Sequence, residues 1–237
     1  MTFDIVRANS RERFSEVQIN LNYIESIEPA GEATPEVKVL RGLYYVHLYS
    51  ALEKALNETI EQAILLIKSK NIKNLHFATP FNVISLNSKM QSFKQCGYKD
   101  YFDKSSEVFE SINSEEVFDI SNTIFSQNLQ NVWFKTIQDT IRSFGAAPIQ
   151  VEPRVKLTID EVVDKRNAVA HGRETPTVIG ERHRVNVLRT KTQEIQLVIE
   201  QVISTFEDYI AVAKYLIKKN YTSKLKIIGM GGSAGGL

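Results

Sequence analysis

The chain has 237 residues, a hydrophobic content of 43%, a charged content of 24% and a formal net charge of +1. This composition is ordinary for a globular protein and excludes wholesale disorder, and the near-neutral charge means that any binding to nucleic acid depends on a local basic patch. No stretch reaches the roughly 18 consecutive apolar residues of a membrane span. The single cysteine, Cys96, cannot form an intrachain disulfide, which suits a reducing compartment. We therefore expect a cytoplasmic protein with no membrane association.

Apolar residues at helical spacing predict two long helices in the first third of the chain. The first covers residues 3–27, with apolar positions at Ile5, Phe14, Val17, Leu21, Ile24 and Ile27. Prolines and Gly31 are expected to interrupt the chain before a second helix over residues 36–70. Residues 71–131 are less regular, and we interpret them as an insertion within the bundle. Within this insertion, a break is expected at 77–81, a helix at 82–94 and a loop at 97–114.

Three further elements are expected in the second half of the chain. A helix over residues 131–144 contains Trp133, and an extended linker through Pro153 leads to a second helix. Thr158 and Glu161 have the spacing of a capping box, which predicts that this second helix begins at Thr158. A proline and a glycine predict a non-helical loop over 173–180, and a long helix follows over 187–219. A strand at 225–228 and a flexible glycine-rich tail complete the chain, giving one helical domain (1–220) and an extension (221–237).

Residues 164–172, which we call the signature segment, carry the strongest functional pattern. Arg166, Asn167 and His171 lie on or beside the apolar stripe of the helix, which then stops at Gly172. A guanidinium and an amide are costly on a core-facing stripe, so either a partner covers them or they line a cleft. The alternative is a structural role, in which Arg166 pairs with Asp164 and His171 caps the helix.

The signature segment, with its Arg-x4-His spacing, resembles that of HEPN domains, and in particular the RiboL-PSP-HEPN branch. The resemblance rests on four segments in family order, which are residues 40–53, 128–145, 164–172 and 188–217. It implies an all-α, antiparallel helical bundle with a mid-chain insertion. It also implies a homodimer through the signature helix, in which paired Arg166 and His171 side chains form a composite cleft for RNA.

The residue types in the signature segment suit metal-independent RNA cleavage by the substrate's own 2′-hydroxyl. Histidine has an unperturbed pKa of about 6.5 and can transfer protons near neutral pH. Arginine stays charged and can stabilise a phosphorane. His171 lies at the helix C-terminus, which favours an imidazolium acting as an acid, and Asn167 lies one turn before it. No metal or cofactor is expected, because the four histidines form no pair with metal-ligand spacing.

Several supporting residues follow from the resemblance and from local charge. The family places an acidic or polar residue on an early helix, for which Glu53 is the candidate; a solvated glutamate is the alternative. Lys165, Arg173, Arg182 and Arg184 form a basic region that could follow an RNA backbone, or they are solvated loop charges.

The expected function is therefore a HEPN-type endoribonuclease acting as a toxin or phage-defence effector, with a cognate antitoxin or defence protein as a partner. One alternative is a non-catalytic module for dimerisation or for binding RNA or nucleotides. Another is a nucleotidyl acceptor paired with a transferase.

Overall fold

The computed structural model describes residues 3–117, 119 and 131–219. Within these residues the chain is all-α, and its only strand-like pairing is an isolated antiparallel bridge between Lys73 and Val117. The nine α-helices of the described residues are α1 (Asp4–Ile27), α2 (Pro35–Lys68), α3 (Thr79–Ser85), α4 (Asn87–Gln95), α5 (Tyr101–Ile112), α6 (Phe134–Ser143), α7 (Pro153–Ala170), α8 (Pro176–Glu181) and α9 (Val185–Lys218). In these described parts, no helix is both long enough and apolar enough to cross a bilayer.

Backbone contacts divide the described chain into two compact units, and the division falls within α2, α6 and α9. The first unit comprises residues 3–59, 131–137 and 149–204. Its core is formed by one apolar face of each of its four long helical segments, from α1, α2, α7 and α9. Fully buried members include Leu21, Leu52, Val162, Ile195 and Val202. Burial of these faces is the main stabilising term for helices of this kind, because helix propensity alone contributes little.

Two glycines allow α8 to lie directly against α2 in the first unit. A Cβ atom added to Gly180 would lie 1.8 Å from the carbonyl oxygen of Lys38, and one added to Gly42 would lie 2.0 Å from that of Pro176. Both glycines are therefore required by the close approach of the two backbones. This contact anchors the chain a few residues after the signature segment ends.

The second unit comprises residues 60–117, 119, 138–148 and 205–219. A row of aromatic rings packs within it, with centroids 4.4 Å apart for Phe77 and Phe81, and 5.8 Å apart for Phe81 and Phe144. Phe206 extends the row in an edge-to-face contact with Phe144 at 5.1 Å, a geometry that aromatic pairs favour.

The long helices were predicted correctly from sequence, and several short elements were not. The predictions for 3–27, 36–70 and 187–219 are confirmed as α1, α2 and α9, although Ile5 is exposed despite its place in the apolar pattern. The loop predicted at 97–114 is wrong because this segment contains α5, and the loop predicted at 173–180 is wrong because α8 begins at Pro176.

Other boundaries differ in detail. The helix predicted at 82–94 is two helices, α3 and α4, separated at Leu86, and Trp133 precedes α6 instead of lying within it. The predicted strand at 225–228 and the glycine-rich tail lie outside the described residues. The division into one domain (1–220) and an extension (221–237) stays a prediction.

Candidate functional site

The signature segment ends as the glycine predicts. Gly172 has a φ of +67°, in the left-handed region, and its N–H donates to the carbonyl oxygen of Val169 at 3.2 Å. The N–H of Arg173 donates to the carbonyl oxygen of Ala168 at 2.8 Å. This pair of hydrogen bonds is a Schellman motif, which ends α7 and leaves His171 as its C-terminal cap residue.

The start of α7 corrects the predicted capping box. The helix begins at Pro153, whose fixed φ and missing N–H suit a first helical position. Thr158 therefore lies inside the helix, where its hydroxyl is buried and donates to Glu194 of α9 at 2.6 Å. Glu161 does not cap the helix either; Lys191 of α9 donates to it at 2.7 Å. The spacing of this pair reflects helix-to-helix contacts, not a cap.

Arg166 faces the interior of the first unit and contacts α2. Its side chain is 16% exposed, and the guanidinium carbon lies 3.6 Å from the centre of the Tyr49 ring, in a cation–π contact. One guanidinium nitrogen lies 3.6 Å from a carboxylate oxygen of Glu53, and another donates to Asn167 at 2.9 Å. The pair with Asp164 that the structural alternative proposed is not formed, because Asp164 accepts from Arg173 instead.

Glu53 is half-buried beside this guanidinium. Burial raises the pKa of its carboxyl group, while the charge of Arg166 and a hydrogen bond from Tyr49 act to lower the pKa. The net direction is upward, so the carboxyl group gains a proton more readily than an exposed glutamate. Tyr49 was not predicted as a site residue, although it lies four residues before Glu53 on α2 and therefore shares its face.

Hydrogen bonds continue from Arg166 through Asn167 to Asn131. Asn167 donates from its amide nitrogen to the side-chain oxygen of Asn131 at 2.9 Å. Because arginine is a donor only, Asn167 must accept through Oδ1 and donate through Nδ2, which in turn makes Oδ1 of Asn131 the acceptor. The orientation of both amides thus follows from the arginine.

The segment that carries Asn131 is attached at several points to the first unit. The N–H of Val132 donates to the Tyr49 hydroxyl at 3.2 Å, and the N–H of Phe134 donates to Asp160 at 2.8 Å. Asp160 thereby occupies the N-terminal end of α6, where a carboxylate is favoured. Sequence reasoning missed Asn131, Asp160 and Tyr49, and only the spacing of Tyr49 from Glu53 offered a signal.

His171 is exposed at the end of α7 and is separate from the Arg166 contacts. Its backbone N–H donates to the carbonyl oxygen of Asn167 at 3.0 Å. Its imidazole forms no hydrogen bond or ion pair with the residues that the structure describes. The structure therefore brings Arg166, Asn167 and Glu53 together and leaves the imidazole accessible to solvent.

The predicted basic residues are all engaged within the protein. Lys165 lies 3.5 Å from Asp164, Arg173 donates to Asp164 at 2.9 Å, and Arg182 pairs with Glu174. Arg184 donates to the carbonyl oxygen of Gly31 at 2.8 Å. The hydrogen bond from Arg173, with the charge of Lys165, lowers the pKa of the Asp164 carboxyl group against a weaker effect of burial. These contacts reduce the positive charge that the region can offer to a phosphate backbone.

A second polar cluster surrounds Glu161 on the same helix. Its carboxylate accepts from the Tyr45 hydroxyl at 3.1 Å and from Lys191, and it lies 3.1 Å from Nε2 of His183. Burial acts to raise the pKa of Glu161, but the hydrogen bond and charge of Lys191 outweigh it and lower the pKa. The cluster joins α2, α7 and α9 and thereby fixes the position of α7.

A helical bundle that carries arginine, asparagine and histidine at the end of one helix has the features of a HEPN-type domain. The RiboL-PSP-HEPN family model matches residues 8–219, and the chain therefore belongs to this family. Membership is consistent with a ribonuclease-like or nucleotide-binding module, and HEPN domains often dimerise and bind RNA.

The other comparisons add little. A stretch of 34 residues is 62% identical to a part of "Protease 2" of Moraxella lacunata, which covers 14% of this chain and 5% of that protein. Because the chain spans so little of that relative, the match carries no activity to this chain. No solved structure matches the chain.

Proposed function

We propose that the protein is a metal-independent endoribonuclease that cleaves RNA by attack of the substrate 2′-hydroxyl on the adjacent phosphorus. The observation that carries this proposal is the accessible imidazole of His171, which caps the helix whose preceding turn holds Asn167 and Arg166. His171 acts as the general acid/base, which takes the proton from the attacking 2′-hydroxyl and supplies a proton to the leaving 5′-oxygen, and Arg166 offsets the charge that develops on the phosphorane. The products carry a 2′,3′-cyclic phosphate and a 5′-hydroxyl.

Helix geometry supports a role for a second copy of the chain. Successive residues of an α-helix are rotated by about 100°, so positions 166 and 171 are about 140° apart around the axis. Asn167 and His171 are only about 40° apart and share a side. One helix therefore directs Arg166 inward and His171 outward. In the proposed dimer, two facing helices bring both His171 imidazoles to one phosphodiester, and Arg166 contributes once the phosphate draws it from Glu53. Residues 170–173 are exposed and available for such a contact.

A bound substrate must alter the contacts that Arg166 makes within the protein. The guanidinium is near Glu53, so a phosphate competes with that carboxylate for the positive charge. Burial raises the pKa of Glu53, and Arg166 acts to lower it, so the carboxylate takes up a proton more readily once a phosphate draws the arginine away. Glu53 thus acts as a supporting residue in this proposal. Lys165, Arg173, Arg182 and Arg184 contribute to RNA binding only where the substrate displaces their ion pairs.

The decisive experiment incubates the full chain with structured and unstructured RNA in EDTA. We expect cleavage that is lost in both Arg166→Ala and His171→Ala, with the cyclic phosphate and 5′-hydroxyl ends detected by end-specific labelling. Arg11→Ala and His76→Ala are matched controls, because both side chains are exposed outside the signature segment. Cleavage that survives in either site variant, or that disappears in the controls, contradicts the proposal.

A second candidate is a non-catalytic module that dimerises or binds RNA or nucleotides. It is favoured by the contacts that hold Arg166 to Tyr49 and Glu53, because a guanidinium fixed in this way serves the fold. RNA binding without cleavage in the same experiment supports this candidate.

For the biological setting, we propose a toxin or phage-defence effector restrained by a partner protein. Growth arrest on induced expression, abolished by His171→Ala and relieved by co-expression of a neighbouring gene, is the expected result. Induction with no effect on growth or on infection by phage contradicts this setting.

A further inference from the structure

We propose that Trp133 and Asn131 form a subsite for one unpaired base of the RNA substrate. This inference rests on the proposed function, because it specifies how RNA is held beside the signature segment. Both residues lie in the segment that precedes α6, and Asn131 is hydrogen-bonded to Asn167. The subsite therefore adjoins the signature segment through a direct contact.

The hydrogen bonds from Arg166 determine what Asn131 presents to a ligand. The donor-only guanidinium orients Asn167, and Asn167 then occupies the side-chain oxygen of Asn131. The Asn131 amide nitrogen makes no hydrogen bond to any residue that the structure describes, and Asn131 is exposed. The two N–H donors of the Asn131 amide are therefore available to a ligand, and their orientation follows from the hydrogen bonds that connect Arg166, Asn167 and Asn131.

Trp133 is held next to this donor by its own backbone. The residues on either side, Val132 and Phe134, are buried, and their N–H groups are bonded to Tyr49 and Asp160. The N–H of Trp133 donates to the carbonyl oxygen of Asn131 at 2.9 Å. With the backbone fixed on both sides, the indole remains 37% exposed. Because the backbone of this segment is already fixed, it loses little conformational entropy when a base stacks on the indole.

The ligand that this combination fits is a single-stranded nucleotide. Stacking on an aromatic face needs an unstacked base, and side chains cannot reach base edges in the narrow major groove of an RNA duplex. An amide N–H₂ donor pairs with acceptor atoms such as O6 and N7 of guanine or O4 of uracil. We therefore expect unpaired bases with an accessible acceptor edge to bind here, adjacent to the phosphodiester held by the signature segment.

The test uses a fluorescein-labelled hexauridine with 2′-O-methyl groups, which has no 2′-hydroxyl nucleophile, and the same oligonucleotide with one central abasic site. Trp133 is the only tryptophan of the chain, so its fluorescence reports contact at this residue without any substitution. We expect the hexauridine to quench this fluorescence and the abasic oligonucleotide to quench it less. By anisotropy, Trp133→Ala is expected to weaken hexauridine binding by roughly 5- to 150-fold, the range of one stacking contact, and Trp133→Phe by less.

The variant Asn131→Asp removes the side-chain N–H donor of residue 131 but keeps the oxygen that accepts from Asn167. A carboxylate still accepts from Asn167 but offers no N–H to a base. Its added charge weakens binding of both oligonucleotides, so the quantity of interest is the additional loss for the one that has the base. We expect this additional loss when Asn131→Asp is the only substitution. We expect no additional loss when Asn131→Asp is introduced into a chain that already carries Trp133→Ala.

The outcomes distinguish this inference from the enzyme proposal. Equal binding of both oligonucleotides, with no effect of Trp133→Ala, overturns the subsite even where His171-dependent cleavage is observed. Base-dependent quenching without any cleavage supports the subsite and contradicts the enzyme proposal. Neither binding nor cleavage overturns both.

Discussion

Replacement of Gly180 by alanine tests whether the close contact between α8 and α2 anchors the chain after the signature segment. The new Cβ atom would lie 1.8 Å from the carbonyl oxygen of Lys38 and 2.7 Å from the backbone nitrogen of Gly42, whereas real Cβ contacts almost never fall below 3.0 Å. The opposing atoms belong to a helix backbone and cannot rotate away. The whole of α8 must therefore shift, and the contact between Pro176 and Gly42 on the same face of α8 is disturbed as well.

The expected cost lies at the upper end of the range for overpacking, about 3 kcal/mol. For a chain of this size, about 3 kcal/mol lowers the Tm by roughly 6–12 °C. Thermal unfolding followed by far-UV circular dichroism measures the shift, and the helical signal at low temperature is expected to be unchanged. Gly97→Ala is the matched control, because its φ is −77° and no atom lies within 4 Å of the added Cβ. If Gly180→Ala melts together with the wild type and with Gly97→Ala, the close contact does not exist in solution and the reasoning fails.

Three further predictions concern the site itself. Tyr49→Phe keeps the ring under Arg166 but leaves the buried N–H of Val132 without its acceptor. We therefore expect the free energy of unfolding, measured by urea denaturation, to fall by about 1–3 kcal/mol, and RNA binding to weaken. An unchanged urea midpoint contradicts this account. Gly172→Ala meets no steric obstacle but must adopt a φ of +67°, and the expected loss in the same assay is about 1–2 kcal/mol, with no loss if the helix ends in another way. Glu161→Gln and Glu53→Gln should change the pH dependence of stability in opposite directions. Glu161 has a lowered pKa in the folded state, so its stabilisation is present above the ordinary value of 4.5 and is lost as pH falls; its replacement flattens the acid-side decrease. The pKa of Glu53 is raised in the folded state, so its ionisation destabilises the fold as pH rises from the ordinary value of 4.5 through the raised pKa. Its replacement removes this loss of stability. Equal slopes of stability against pH in the two variants would refute the assignment.

The parts of the fold that could be predicted from sequence are those with long, regular periodicity. Helices α1, α2 and α9 each bury a continuous apolar face, and their predicted ends were within two residues of the observed ones. The end of α7 at Gly172 was also predictable, because a left-handed residue at a helix end strongly favours glycine. Both signals are local, and neither depends on which helices pack together.

The elements that sequence reasoning predicted wrongly contain residues that are common in more than one kind of structure, or residues whose partners are distant in sequence. Helix α5 buries only Ser111, yet its apolar residues lie on one face at helical spacing (Tyr101, Phe102, Val108, Phe109 and Ile112), and the loop prediction gave more weight to the glycine, serine and aspartate residues of 97–114. Pro176 was interpreted as a break, although proline also begins helices, and Thr175 caps this one by accepting from the N–H of Val178. The apparent capping box of Thr158 and Glu161 failed because both side chains bind residues of α9 more than 25 positions away.

The same limit applies to the site. Glu53 was identified through a family resemblance, but Asn131 is 36 residues from Asn167 and no sequence spacing connects them. This matters for the role of Arg166, because its guanidinium stacks on Tyr49, donates to Asn167 and thereby orients Asn131. A lysine would supply the same charge, but its single ammonium group lacks the planar face for stacking and the fixed fork of donors. The site therefore requires the shape of arginine as well as its charge, since only that shape can stack on Tyr49 while it donates to Asn167 and so orients both amides.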